Sequence, residues 1–128
     1  MPKAPKSLTP LEALIMDAVW DLAPATVRQI QEHFQTSRPM AYNTVLTMMR
    51  ILRDKGFLKS ERQGRIDVYQ PTFSREQIGR RSVGEVLDLF FAGSARSLVS
   101  QLLDSEKLSR DELAQIRREI DRRLREPS

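Results

Sequence analysis

The sequence predicts a mainly α-helical protein with one small β-hairpin, and three observations support this fold class. Only five glycines occur in 128 residues, and chains so poor in glycine are usually helical. Residues 58–69 combine strand-forming side chains with a central glycine, which favours two strands joined by a tight turn. The third observation is the Ser/Thr-x-x-Glu/Gln pattern of a helix capping box, which occurs at Thr9, Thr26, Ser74 and Ser109.

The composition narrows the classes of protein that need to be considered. Hydrophobic residues make up 40% of the chain and charged residues 30%, which is typical of a globular protein. There is no cysteine, and His33 is the single histidine, so we expect no metal site, no cofactor and no catalytic residue. No apolar run approaches the roughly 20 residues of a membrane helix. We therefore expect a cytoplasmic protein without membrane insertion.

The first helix is predicted from the capping box at Thr9 to about Asp21, with Pro10 at its first position. Met16 and Trp20 lie opposite its main apolar stripe, and two interpretations are open for them. They pack within the chain, on the hairpin or on the helix after it, or they contact a partner subunit. The main stripe consists of apolar residues at helical spacing, namely Leu11, Leu14, Ile15, Ala18, Val19 and Leu22.

A second, short helix follows Pro24, which interrupts the helical pattern. It begins after the capping box at Thr26, and its apolar residues Ile30 and Phe34 are expected to face inward.

The third helix is predicted from the region of Pro39 to Tyr42 as far as Lys55, and Gly56 suits a left-handed C-terminal cap. On a helical wheel its two faces differ in chemistry. The inner face is apolar and consists of Val45, Met48, Met49 and Leu52. The outer face carries Asn43, Thr47 and Arg50.

Asn, Thr and Arg on one helix face can hydrogen-bond base edges and phosphates in a major groove of DNA. An ordinary solvated helix surface has the same residue types, so this helix alone does not decide between the two interpretations.

The charge of the hairpin and of the helix before it favours nucleic acid as the binding partner. Its strands are predicted at residues 58–62 and 65–69, around Gln63 and Gly64, and Pro71 ends it. From residue 38 to residue 65 there are seven basic and two acidic side chains, a local charge of +5 against +4 for the whole chain. Arg62 and Arg65 flank the turn, where they could straddle a phosphate backbone.

Three further helices are predicted after a boundary near Phe73, which divides the chain into a domain at 1–73 and a helical domain at 74–128. The first runs from Ser74 to about Phe91, and Gly93 separates it from a short one, while the last begins after Ser109. Fifty-five residues seldom enclose a core alone, so we expect this domain to form a dimer. The expected interface consists of Phe90, Phe91, Leu98, Val99, Leu102, Leu103, Ile116 and Ile120.

Three helices followed by a hairpin have the layout of a winged helix-turn-helix, and the sequence resembles the penicillinase-repressor family of BlaI-, MecI- and CopY-like regulators. The N-terminal half carries the resemblance in LTPLEALIMDAVW, TVRQI, AYNTVLTMMRILRDKGFL and VYQP. The C-terminal half carries it in FFAGSARSLVSQLL and LSRDELAQIRREI.

The resemblance implies a repressor that binds double-stranded DNA at inverted-repeat operators as a homodimer. It also implies release through a membrane-bound sensor protease that triggers cleavage of the repressor, or release by metal in the copper regulators. We predict DNA contacts from the third helix and the hairpin, at Ala41, Tyr42, Asn43, Thr44, Leu46, Thr47, Arg50, Lys59, Arg62 and Arg65.

The sequence departs from the family pattern at three places. The cysteine cluster of the copper regulators is missing. Where many members have Arg, this chain has Ile51, and its arginine lies one residue earlier at Arg50. The segment aligned with the family's scissile Asn-Phe bond reads Gln101-Leu102, which is the candidate cleavage position.

Two other functions remain open, namely a winged-helix scaffold that binds proteins and a non-specific nucleic-acid binder. Two measurements distinguish these two functions from a sequence-specific repressor: the salt dependence of DNA affinity and the preference for operator over random DNA.

Overall fold

The computed structural model describes residues 7–127. Within this range it confirms a helical protein with one antiparallel hairpin. The elements, in chain order, are α1 (Pro10–Leu22), α2 (Val27–His33), α3 (Tyr42–Asp54), β1 (Leu58–Gln63), β2 (Ile66–Pro71), α4 (Arg75–Phe90), α5 (Ala95–Leu103) and α6 (Arg110–Arg125).

Two compact units make up the chain, and they meet in sequence between Ser82 and Val83. The first unit contains α1, α2, α3, the hairpin and the start of α4. The predicted domain boundary near Phe73 lies before the end of this unit, because Ile78 on α4 still packs against its core.

The capping boxes at Thr9 and Thr26 are confirmed. Each threonine side chain accepts a hydrogen bond from the backbone N–H three residues later, and Glu12 or Gln29 accepts one from the threonine backbone in return. Ser74 and Gln77 make the same reciprocal pair before α4. At Ser109 only half of the box forms, because the backbone N–H of Glu112 donates to the hydroxyl but the return contact runs between the two side chains.

The core of the first unit lies between the three helices and the hairpin. Leu22, which was assigned to the apolar stripe of α1, is 41% exposed, so that assignment is wrong. Leu22 is the last residue of α1, beyond the part of the helix that the other elements cover. The core contains Ile15, Met16, Ala18, Val19, Ala25, Val27, Ile30, Phe34, Val45, Met49, Leu52, Phe57, Leu58 and Tyr69.

Met16 and Trp20 pack within the chain, as the first of the two interpretations held. Met16 is completely buried in the core. The Trp20 indole N–H donates to the Phe73 carbonyl oxygen at 2.9 Å, and the Arg75 guanidinium lies 5.4 Å from the Trp20 ring. The same arginine pairs with Asp17 at 2.8 Å and with Asp21 at 3.0 Å. These contacts hold the start of α4 against α1.

The predicted hairpin forms, but its turn lies one residue later than predicted: Gly64 and Arg65 form the two-residue turn instead of Gln63 and Gly64, so the register of the two strands is shifted. Gln63 pairs with Ile66, and Leu58 pairs with Pro71 at the other end. Gly64 has φ of 63°, a left-handed value that glycine adopts without a steric penalty. Tyr69 also pairs with Ala25 through two backbone hydrogen bonds of 2.8 and 3.0 Å. The loop before α2 therefore continues the sheet beyond the hairpin.

The second unit contains α5, α6 and the end of α4. None of the described residues from 83 to 127 is buried. Phe90 and Leu124 are 76% and 78% exposed. Gly93 ends α4 with φ of 79° and donates its backbone N–H to the Leu87 carbonyl oxygen. This unit therefore leaves its apolar side chains largely open.

In the part of the chain that the structure describes, no single helix is long and apolar enough to cross a membrane, and only α4 and α5, joined across a bend, satisfy that criterion by length and composition.

Candidate nucleic-acid interface

Helix α3 presents one face to the core and the other outward, as its sequence pattern predicted. Val45, Met49 and Leu52 are completely buried, and Met48 is half-buried. Because these residues recur at helical spacing, their burial leaves the opposite face of α3 towards solvent.

The outer face of α3 carries the predicted contact residues. Leu46 is half-buried: part of its side chain packs against the core, and the rest remains accessible at the edge of the outer face. Ala41 is the N-cap of α3 and makes no side-chain capping bond. The residues of this set that are exposed are Ala41, Tyr42, Asn43, Thr44, Thr47 and Arg50.

Two polar contacts hold the C-terminal end of α3. The Lys55 ammonium group lies 2.7 Å from the Glu12 carboxylate, which is only 3% exposed. Burial raises the pKa of Glu12, but hydrogen bonds from Lys55 and Thr9 and the charge of Lys55 outweigh that effect and lower the pKa below its ordinary value. Arg53 donates to the Ser60 hydroxyl at 3.5 Å. Since α1 and the hairpin both contact this end, these contacts fix the orientation of α3 in the first unit.

The hairpin carries its basic residues on two different faces. Side chains alternate along a strand, so Arg62 on β1 lies on the same face as Asp67 and Tyr69 on β2. Arg62 approaches Asp67 at 3.7 Å and donates to the Gly64 carbonyl oxygen at 3.4 Å. Lys59 belongs to the opposite face and lines a separate hollow. The structure therefore groups Arg62 with Arg65 and α3, but not Lys59.

A groove of about 390 Å³ lies between α3 and the hairpin, and we call it the basic groove. Arg50 enters it from α3, while Arg62 and Arg65 enter it from the hairpin. Four arginines and one aspartate surround it, which makes it suited to an anionic partner. Its lining consists of Thr26, Val27, Arg28, Tyr42, Leu46, Arg50, Arg62, Arg65, Ile66, Asp67 and Tyr69.

Six members of this lining were not among the predicted contact residues, namely Thr26, Val27, Arg28, Ile66, Asp67 and Tyr69. Arg28 and Tyr69 are the two whose chemistry matters most for the site. Arg28 lies in the first turn of α2, outside the segment whose charge was counted, and only folding brings α2 to the groove. Tyr69 was read as a strand-forming residue, yet it is completely buried. Burial raises the pKa of its hydroxyl, as does the charge of Asp67, while the charges of Arg53 and Arg50 act in the opposite direction.

The predicted dimer residues and the candidate cleavage position lie in the second unit. Gln101 and Leu102 are both exposed on α5. Phe91, Leu98 and Ile116 are half-buried. The exposed members of the predicted interface are Phe90, Val99, Leu102, Leu103 and Ile120.

Three helices followed by an antiparallel hairpin, with a basic groove beside the third helix, define the winged helix-turn-helix class. The family model of the penicillinase repressor matches residues 8–122. The chain therefore belongs to the penicillinase repressor family, as its sequence motifs indicated.

Curated relatives match most or half of the chain. The methicillin resistance regulatory protein MecI of Mammaliicoccus sciuri is 24% identical over 109 residues, which cover 85% of this chain and 89% of that protein. The penicillinase repressor of Bacillus licheniformis is 26% identical over 116 residues, covering 91% and 90%. The transcriptional regulator BlaI of Mycobacterium tuberculosis is 35% identical over 69 residues, covering 53% and 50%.

A solved structure shows the same fold. The solution structure of the DNA-binding domain of the repressor BlaI superposes with a TM-score of 0.51 at 24% identity, covering 59% of this chain and 90% of that domain.

Proposed function

We propose that this protein is a sequence-specific transcriptional repressor that binds an inverted-repeat DNA operator as a homodimer. The observation that carries the proposal is the basic groove, which Arg50 of α3 lines together with Arg62 and Arg65 of the hairpin. Membership of the penicillinase repressor family supports it.

Helix α3 enters the major groove in this proposal. A B-DNA major groove admits one α-helix, and its base edges offer acceptors to Arg, paired donor and acceptor groups to Asn, and thymine methyl groups to the methyl of Thr. Asn43, Thr47 and Arg50 are exposed on the outward face of α3. We assign base contacts to these three residues and phosphate contacts to Arg62, near the end of β1, and to Arg65, in the turn.

The homodimer is formed through the second unit. Its apolar side chains are exposed in one chain, and burial against the same residues of a second copy would remove them from water. An interface of this kind is two-fold, so the two α3 helices would meet half-sites related by an inverted repeat.

Release by proteolysis follows from the same arrangement. A cut between Gln101 and Leu102, at an exposed position on α5, would separate α6 from the rest of the chain. The dimer would lose the apolar residues of α6, and each remaining DNA-binding unit would hold its half-site alone. A membrane-bound sensor protease is the partner that the family resemblance suggests for this step.

The test begins with selection of bound sequences from a random double-stranded DNA pool. We expect an inverted repeat to be enriched and then bound with nanomolar affinity or better. Arg50→Ala should weaken binding to this selected DNA by about 1–3 kcal/mol, because one bidentate base contact is lost. Arg118→Ala, which removes another exposed arginine, from α6, is the matched control and should bind as wild type.

The alternatives give different results in this experiment. A protein-binding scaffold would show no DNA binding at physiological salt. A non-specific binder would retain all sequences from the pool, and its affinity would fall with salt without a preferred site.

A further inference from the structure

Tyr69 carries an unusual polar atom at the floor of the basic groove. Among the described residues, its hydroxyl is the buried side-chain oxygen that makes no hydrogen bond. Leaving a buried hydroxyl unpaired is costly, and such a group in a native protein calls for an explanation. One such explanation is a contact that is completed only when the protein binds its partner.

The backbone of Tyr69 is held firmly, so the hydroxyl cannot turn away to find a partner elsewhere. Its N–H donates to the Ala25 carbonyl oxygen at 2.8 Å, and its own carbonyl oxygen accepts from the Ala25 N–H at 3.0 Å. It also pairs with Ser60 across the hairpin. The ring is fully enclosed by the core.

Three charged groups act on this hydroxyl, and two of them are already engaged. Asp67 is approached by Arg62 at 3.7 Å. Arg53 donates to Ser60 and lies 3.7 Å from Asp54. The third group is Arg50, whose charge and hydrogen-bonding side chain act to lower the pKa of the hydroxyl, although the hydroxyl makes no hydrogen bond of ordinary distance and angle. Within residues 7–127, Arg50 makes no salt bridge at 4.0 Å or less, and it lines the same groove as Tyr69.

We infer that Tyr69 is a positioning residue for Arg50, whose guanidinium group donates to the Tyr69 hydroxyl when the protein binds its operator. A tyrosine hydroxyl has acceptor lone pairs, and a guanidinium group has five N–H donors in a fixed plane. One donor held from below leaves the other donors of the guanidinium group free for a base edge. The hydroxyl then determines the direction of a base contact without touching DNA. This inference depends on the proposed function, because it concerns the DNA contact of Arg50.

The variant that tests it is Tyr69→Phe, measured on the inverted repeat selected by the wild-type protein and on random DNA. We expect about a tenfold loss of affinity for the selected DNA, the size of one hydrogen bond to a charged group. Affinity for random DNA should stay within about twofold. The base preference should relax at the same position of the half-site that Arg50→Ala relaxes. Thermal stability should be equal or higher, since an unpaired buried hydroxyl is removed without changing the shape of the ring.

A double-mutant cycle distinguishes positioning from a general packing role. In the Arg50→Ala background, Tyr69→Phe should cause no further loss of affinity, whereas in the Arg62→Ala background its effect should remain tenfold. An unchanged affinity of Tyr69→Phe would overturn the inference. So would an equal loss on random DNA, which would indicate a direct phosphate contact, or a further loss in the Arg50→Ala background.

Failure of the proposed function gives a separate result. If no sequence is selected from the pool, or if Arg50→Ala binds as wild type, then base reading by α3 is wrong and the inference about Tyr69 is overturned with it. If Arg50→Ala loses affinity and Tyr69→Phe does not, only the inference about Tyr69 is wrong.

Discussion

The two compact units of this repressor contain similar apolar side chains but bury them very differently. In the first unit, fourteen hydrophobic residues form a closed core between three helices and a hairpin. In the second unit, none of the described residues is buried, and residues such as Phe90 and Leu124 are mostly exposed. The first unit thus has a core of its own, whereas the second has the apolar surface of an assembly that a single chain leaves incomplete.

In our proposal, this difference lets one small chain combine a rigid DNA-binding unit with an affinity for DNA that depends on dimerisation. The first unit is rigid because α3 packs on the core along one face and is held at its C-terminal end by contacts such as Lys55 with Glu12. The affinity for DNA depends, in our proposal, on joining two DNA-binding units in one dimer, and the second unit forms that dimer. Each prediction below changes one side of this division.

Removing the second unit should have the largest effect. A fragment of residues 1–82 contains the whole first core, including Ile78, and should fold with a cooperative thermal transition. We expect it to bind the selected operator about 100- to 10,000-fold more weakly than the full chain, because the effective concentration of the second half-site contact is lost. Sedimentation equilibrium should show a monomeric fragment and a dimeric full chain. A monomeric full chain at micromolar concentration would contradict the proposed dimer.

A cavity in the first core should be the next largest change. Leu52→Ala removes a completely buried side chain of α3 and should lower the free energy of unfolding by about 2–5 kcal/mol. Leu124→Ala, at a position 78% exposed in one chain, is the control in the full-length chain and should change the free energy of unfolding of the first unit by less than about 0.5 kcal/mol. Urea titration of both variants checks this. Equal losses would mean that the two units share one core.

Loss of the pair between Lys55 and Glu12 should have a moderate effect that depends on pH. The pKa of Glu12 is lowered in the folded protein, so its contribution to stability is present above its ordinary pKa near 4.5 and is lost as the pH falls through the lowered value. Glu12→Gln should therefore be less stable than wild type at pH 7, with a difference that shrinks on acidification. The free energy of unfolding measured from pH 7 to pH 3 tests it, and a difference that grows in acid would be inconsistent.

Changing a hairpin arginine should have the smallest effect. Arg62→Ala or Arg65→Ala should weaken selected and random DNA alike, and should reduce the slope of log affinity against log salt by about one unit or less. Fluorescence anisotropy at several salt concentrations measures the slope, with Arg118→Ala as the control of equal charge. A loss restricted to the selected DNA would assign base reading to the hairpin instead.

Two contacts within the first unit could not be predicted from the sequence, and the reason is the same for both. Glu12 was recognised as part of a capping box, but its partner Lys55 is 43 residues away. The sequence left open whether Trp20 packs within the chain, and the Phe73 carbonyl oxygen that accepts from its indole N–H is 53 residues away. Periodicity identifies the face on which a side chain lies, and it carries no information about which distant group will meet that face.

The sequence by itself determined the local structure of this protein and which residue types lie on the exposed face of α3. Capping boxes placed the starts of four helices, Gly64 placed the turn, and helical spacing separated the core face of α3 from its polar face, because each depends on neighbours within a few residues. Only the tertiary structure decided that Arg28 reaches the basic groove and that Lys59 lies apart from Arg62. It also decided that Tyr69 lines the same groove as Arg50, with a buried hydroxyl that makes no hydrogen bond. These facts depend on how separate elements pack, and packing is a property of the whole folded chain rather than of any segment.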